Sequence, residues 1–207
     1  MNYQQILCEV DGPVATITLN RPTRMNALTK VMEAELRSAI EAVGRDSRVR
    51  AIVLVGSGKA FCAGMDMDEL EVLPPEDIRA EEWMRPYDMN RRADYQTRYS
   101  YFPGTPKPII SAVNGAAAGL GLIMALYSDF RIASETAVFS TAFAKRGLIA
   151  EHGIAWILPR VVGHAAAMDL LLTSRKVTAR GQAQSEPAGG GRGMKLAVKT
   201  AATGQHA

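Results

Sequence analysis

The sequence predicts an α/β protein assembled from parallel β-α-β units, and three observations carry that expectation. The run Val14 to Leu19 is β-branched and alternating, the mark of a half-buried strand. Apolar residues then recur at helical spacing, and a continuous apolar run, Ala51 to Val55, follows. A second such run, Ile109 to Val113, comes later. Strands that are apolar throughout belong to sheets covered on both faces, and strand, helix, strand in that order implies a right-handed parallel crossover.

The elements follow in chain order. Asn20 to Asn26 is a polar loop broken by Pro22. Thr29 suits a helix N-cap, with Glu33 and Glu35 in or near the first turn. Val31 or Met32, then Leu36, Ile40 and Val43, form the apolar stripe, and Gly44 suits the stop. Residues 68–104 are rich in charge, Met, Tyr and Pro, and read as an excursion over a site, with a helix expected from Ile78 to Tyr99. After the third strand, Asn114 to Gly121 is a glycine-rich turn leading into a small-residue helix that ends at Ser128. Phe130 to Ala133 and Ala137 to Phe139 read as short strands, and Ala165 to Leu172 as a helix.

Bulk properties narrow the function. With 47% hydrophobic and 22% charged residues, the 207-residue chain is ordinary for a globular domain. A net charge of +3 calls for neither a nucleic-acid nor a membrane partner. Cys8 and Cys62 make no disulfide framework and have no metal-ligand spacing, so no metal site is expected. Met1 to Glu9 lacks a signal-peptide pattern, and no apolar run is long enough for a bilayer. A cytoplasmic enzyme or binding protein is the expectation. Residues 181–207 lose amphipathic periodicity. From Ser174 onward six Lys/Arg stand against one acid, Glu186, so this end carries +5 and the rest −2. It reads as a basic tail without stable structure.

Two loops carry the chemistry. Each follows an apolar strand and joins small residues to glycine: Lys59 to Met67, and Asn114 to Gly121. Small residues let a ligand approach the backbone, and glycine permits turns that aim successive N–H groups into a cavity. Two such loops are able to place two donors on one oxygen; tight strand–helix packing explains the same composition. Gly119-Leu120-Gly121 lacks the third glycine of a dinucleotide fingerprint, so no NAD is expected.

The motifs then match in order. Phe61-Cys62-Ala63-Gly64-Met65-Asp66 is similar to the F-x-A-G-x-D element of the crotonase (enoyl-CoA hydratase/isomerase) family. Val113 to Gly121 with Ser128 to Ala133 resembles its V-N-G-x-A-x-G-x-G…x-D-x-R-I-A signature. Asn20-Arg21-Pro22…Asn26-Ala27-Leu28 resembles its first loop, and Leu158-Pro159-Arg160-Val161-Val162-Gly163 its L-P-R-x-x-G segment. The resemblance covers roughly residues 6–180.

It implies a stacked ββα/βαβ superhelix over residues 1–180, a bent acyl-CoA thioester as substrate, and no separate cofactor, since CoA belongs to the substrate. By position it implies the Ala63 and Leu120 amides as thioester-oxygen donors. It places Arg24, Met25, Ala27, Met65, Asp66 and Met67 around the adenine, and Gly64, Gly119, Phe143 and Leu148 elsewhere along the substrate. Arg24 fits a CoA phosphate or plain solvation; Asp66 fits a turn carboxylate better than a base. Asp129 fits a structural role, holding the Arg131 region.

The proton-transfer positions depart from the family. Its two hydratase glutamates align with Ile123 and Phe143, neither of which moves a proton. The segment Arg146 to Gly153 resembles the place where family isomerases put an acid, here Glu151. Facing an apolar wall with Phe143 and Leu148, its carboxyl is expected to have a raised pKa; a solvent-facing helix-start acid is the alternative. His152 is expected to point elsewhere on that helix. The resemblance also implies C-terminal helices that complete the acyl pocket and a trimer. Residues after 180 do not follow them, so the helical domain reads as incomplete and any trimer-based oligomer as weakened. Two function classes stand: an enoyl-CoA enzyme using Glu151, or a catalytically weak CoA-thioester-binding scaffold.

Overall fold

The computed structural model describes residues 2–72, 98–180 and 197–198. The chain opens with a hairpin, β1 (Ile6–Asp11) antiparallel to β2 (Val14–Leu19). β1 was not among the expected strands. Its residues are mostly exposed and only Ile6 reaches the core, so it lacks an apolar alternation; Asp11-Gly12, with Gly12 at φ +52°, was the available hairpin signal.

Helix α1 (Lys30–Arg45) starts where its cap says it should. The Thr29 hydroxyl accepts the Met32 amide at 3.0 Å. Met32, Leu36, Ala39, Ile40 and Val43 form the buried stripe. The chain returns as β3 (Ala51–Gly56), parallel to β2, with Ala15 opposite Ile52. β5 (Ile109–Val113) lies parallel to β3, and β7 (Phe130–Ala133) parallel to β5. The large sheet runs β1-β2-β3-β5-β7-β10, as continuous apolar strands require.

A second sheet was not foreseen. Its strands are β4 (Ala60–Cys62), β6 (Ala116–Ala118), β8 (Val138–Ser140) and β9 (Val177–Thr178). The first two lie inside the segments expected to be loops. Alanine has weak strand preference, and the pairing β4∥β6∥β8 decides instead. Each turn of chain thus lays one strand in the large sheet and the next in the small one: β3 then β4, β5 then β6, β7 then β8. This is the stacked superhelix that the motifs imply.

Short α2 (Met67–Val72) follows β4, and α3 (Leu120–Tyr127) follows β6. All eight residues of α3 are buried, as an apolar LGLIMALY helix must be. The Arg131 guanidinium closes its far end, Nη1 donating to the carbonyls of Ala125 (3.1 Å), Leu126 (3.1 Å) and Ser128 (2.6 Å). Asp129 accepts the Ile109 amide at 2.8 Å, which fixes the start of β5, and its charge also acts on the Arg131 guanidinium.

Helices α4 (Ile154–Val162) and α5 (His164–Thr173) complete the described core. α4 contains Pro159, yet Ile154, Leu158 and Val162 are buried at i, i+4, i+8, and that packing holds the helix. The tail is corrected at one place: Ala197–Val198 forms β10, parallel to β7. The rest of 181–207, and residues 78–97 of the helix expected from Ile78 to Tyr99, lie outside the described residues; Arg98 and Tyr99, at its expected end, form a turn. Among those described, no helix is long and apolar enough to cross a membrane.

Gly121 permits the approach of α3 to β4, because a Cβ there would overlap the Cys62 carbonyl. Gly121→Ala is expected to lower folding stability by about 1–3 kcal/mol, read as a drop in urea midpoint at constant m-value.

Candidate functional site

The two small-residue loops meet. Gly64 has φ +101°, and a Cβ on it would lie 3.0 Å from the Ala118 carbonyl oxygen and 3.7 Å from the Leu120 nitrogen. Only glycine takes that backbone conformation cheaply and leaves the space empty. Gly119 precedes α3 with φ +50°, and its N–H is taken by the Ser140 carbonyl at 3.1 Å. Leu120 opens α3, so its own N–H has no intrahelical acceptor, and it has none elsewhere among the described residues.

The other loop is pinned by residues 25–28. Ala63 N–H donates to the Met25 carbonyl at 3.0 Å, Leu28 N–H to the Gly64 carbonyl at 2.7 Å, and Asp66 N–H to the Leu28 carbonyl at 2.8 Å. The last two make a parallel bridge between Leu28 and Met65. This corrects the expectation for Ala63, whose amide is already engaged. In a parallel bridge the flanking residues face the partner, so Met65 turns its N–H to the opposite side. That N–H has no partner among the described residues. Sequence alone did not reveal this, because main-chain direction depends on which strand pairs with the loop.

Asp66 is 3% exposed and accepts from Arg21 Nη1 at 2.7 Å, Arg24 Nη2 at 3.1 Å and the Asp68 amide at 3.2 Å. Burial pushes its carboxyl up, but the hydrogen bonds from Arg21 and Arg24 outweigh it and hold the pKa below the ordinary value. A carboxylate so held is a turn and ion-pair residue, not a base. Arg24 is half exposed and also pairs with Asp68. Met25 and Asn26 both take left-handed backbone, φ +51° and +53°, and Ala27 is buried beside them. Burial pushes the neighbouring Cys62 thiol up to about 12, which makes it inert.

The turn after β8 lies close to α2, since Arg146 Nη1 contacts Met67 Sδ at 2.9 Å. Phe143 is buried, and its carbonyl accepts the Arg146 and Leu148 amides at 2.9 and 3.1 Å. Ile123, at the other position aligned with a glutamate, is fully buried in α3.

Glu151 does not begin a helix and does not face a dry wall. It sits in a turn before α4, its side chain 36% exposed, and Leu148 beside it is exposed too. His152 does not point elsewhere: its Nε2 lies 3.6 Å from Glu151 Oε2, because His152 adopts φ +53° instead of helical backbone. Burial first, and the Arg98 guanidinium second, push the His152 pKa down to about 4. Arg98 itself pairs with Glu33, which also accepts the Tyr99 hydroxyl at 2.7 Å.

The depressed His152 pKa has a sign. The unfolded imidazole takes a proton near its ordinary value of 6.5 and the folded one only near 4. Stability is therefore present above pH 6.5 and lost as pH falls toward 4. His152→Asn, which tolerates left-handed backbone, is expected to flatten that acid-side loss in urea titrations between these pH values.

Two unengaged main-chain donors, on loops that touch, are suited to stabilise negative charge on one oxygen. Known proteins carry the same arrangement of chain. A family profile described as Enoyl-CoA hydratase/isomerase matches residues 9–185. The 1,2-epoxyphenylacetyl-CoA isomerase of Escherichia coli K12 is 40% identical over 174 residues, 84% of this chain and 64% of its own length. A Rhodobacter capsulatus protein named "Probable enoyl-CoA hydratase" is 41% identical over 181 residues, 86% of this chain and 65% of its own. The solved enoyl-CoA hydratase of Bacillus anthracis superposes with a TM-score of 0.75 at 30% identity, covering 86% of this chain and 66% of that one. The chain spans 64% and 65% of the two relatives' lengths. The chain belongs to the enoyl-CoA hydratase/isomerase family.

Proposed function

We propose that the chain is an enoyl-CoA hydratase/isomerase-type enzyme that binds an acyl-CoA thioester and polarises its carbonyl with the Met65 and Leu120 amides. The observation that carries this is the pair of unengaged amides on loops joined through Gly64. Negative charge develops on the thioester oxygen as the α-proton leaves, and main-chain donors aimed there stabilise it. Leucine is no handicap at position 120, because the donor is main chain. CoA arrives with the substrate, so the reaction needs no further cofactor. Residues 24–27 and 65–67 border the same loops and are the surface offered to the CoA moiety.

Glu151 is the proton-transfer residue of this reading. Ile123 and Phe143, aligned with the family's hydratase acids, offer no proton. A single acid suits double-bond isomerisation, which needs one shuttle, whereas hydration needs a positioned water and two groups. The Escherichia coli relative's name, an isomerase acting on a CoA ester, agrees with that preference. The reaction belongs to fatty-acid or related acyl-CoA metabolism in the cytoplasm, carried by a trimer-based oligomer weaker than the family's.

The same two replacements favour a second reading, a CoA-thioester-binding scaffold with little turnover. One preparation separates the two. Glu151→Gln keeps shape and hydrogen bonding but removes the proton acceptor. It is expected to cut enoyl-CoA turnover by roughly 10²–10⁴ while leaving CoA-ester affinity in calorimetry unchanged. Unaltered turnover would move the chemistry away from Glu151, and binding without turnover in the parent would favour the scaffold.

A further inference from the structure

The buried carboxylate of Asp66 has no part in the proton chemistry, yet it lies one residue from a proposed donor. We propose that Asp66 is a positioning residue: through Arg21 and Arg24 it holds the 62–66 loop in the register that leaves the Met65 amide, rather than the Ala63 amide, open. This rests on the thioester-polarising role proposed for Met65 and Leu120.

The register has a competitor. The Ala63 amide faces residues 25–28 and the Met65 amide faces away from them, so a loop that lost its hold on those residues would release the first and be free to engage the second. What selects between them is the position of the Met25 carbonyl, which takes the Ala63 amide at 3.0 Å. Met25 reaches that place through left-handed backbone at two consecutive non-glycine residues, Met25 and Asn26. Such residues persist only where their surroundings over-determine them.

Asp66 ties that constraint together from below. Arg21 Nη1 bridges the Asp66 carboxylate (2.7 Å) and the Ala27 carbonyl (2.6 Å). The Arg21 amide donates to Asn26 Oδ1 at 2.9 Å, and Asn26 Nδ2 donates to the carbonyls of Ser57 (2.9 Å) and Ala60 (2.8 Å). Arg24, in the turn before Met25, gives Asp66 its second ion pair. The strained turn is thereby clamped on one side to the β3–β4 connection and on the other to Asp66. A neutral side chain at 66 would leave Arg21 without its anion, and the turn would be free to relax.

The test reads the polarisation itself. With carbonyl-labelled ¹³C crotonyl-CoA as the probe, the thioester C=O stretch of the bound ester is compared in the full-length chain and in Asp66→Asn. The parent is expected to lower the stretch relative to solution. Asp66→Asn is expected to lose most of that change and to lose turnover roughly 10²-fold, with the folding midpoint nearly unmoved. A merely structural role would weaken binding and stability together and leave the stretch of the remaining bound ester shifted. Arg21→Lys keeps the positive charge but not the fork, and is expected to give an intermediate stretch; it serves if Asp66→Asn does not fold. A parent-like stretch in the variants overturns the positioning role while the thioester reading stands. No shift in the parent removes the thioester reading, and this proposal with it.

Discussion

A helix buried on every side must still begin somewhere, and its first amides have no carbonyl behind them. That constraint organises this molecule. At the far end of α3 the problem is solved by the protein: Arg131 covers three carbonyls, and the Ser128 hydroxyl donates to a fourth, that of Met124, at 3.0 Å. At the near end it is left unsolved. The small sheet, Gly64 and Gly119 bring the chain to the Leu120 amide and stop short of filling the space before it. An amide at a helix start with no acceptor among the described residues is open to an acceptor from outside the chain.

Around that opening, charge and main chain are differently disposed. The side chains closest to the loops are fixed in single states: Asp66 is held ionised by two guanidinium groups, and Cys62 is held protonated by burial. Neither exchanges protons near neutrality. On the periphery, Glu151 stands partly exposed on a turn of its own, with the mostly buried His152 beside it. In the proposed reading, stabilising charge and moving a proton fall to different parts of the chain, which lets one be altered without dismantling the other.

Much of this was legible in the residues. The three central strands were plain because parallel strands covered on both faces must be apolar throughout, and Thr29 announced α1 because few other residues satisfy a first-turn amide. The alanine strands β4 and β6 were not, since nothing in Ala60 or Ala116–Ala118 favours extension until neighbours are in place. The site was legible as two loops but not as two donors. Ala63 and Met65 are equally small or flexible on paper, and only the hydrogen bond to the Met25 carbonyl, with the bridge to Leu28, says which amide is used up. Glu151 was legible as an acid in a particular segment, yet its company was not, because His152 departs from helical backbone by a positive φ that imidazole does not advertise.

The proposed use of peptide groups at Met65 and Leu120 has a consequence for how such proteins diverge. Side chains at these positions are free to drift, since any residue but proline presents the same amide. The glycines at 64 and 119 are not free, because they hold the backbone at angles other residues resist. A lineage built this way keeps its reactive centre in the shape of the chain and writes its history around it. Kinship judged at the reactive positions will look thin, while the silent spacers beside them carry the inheritance.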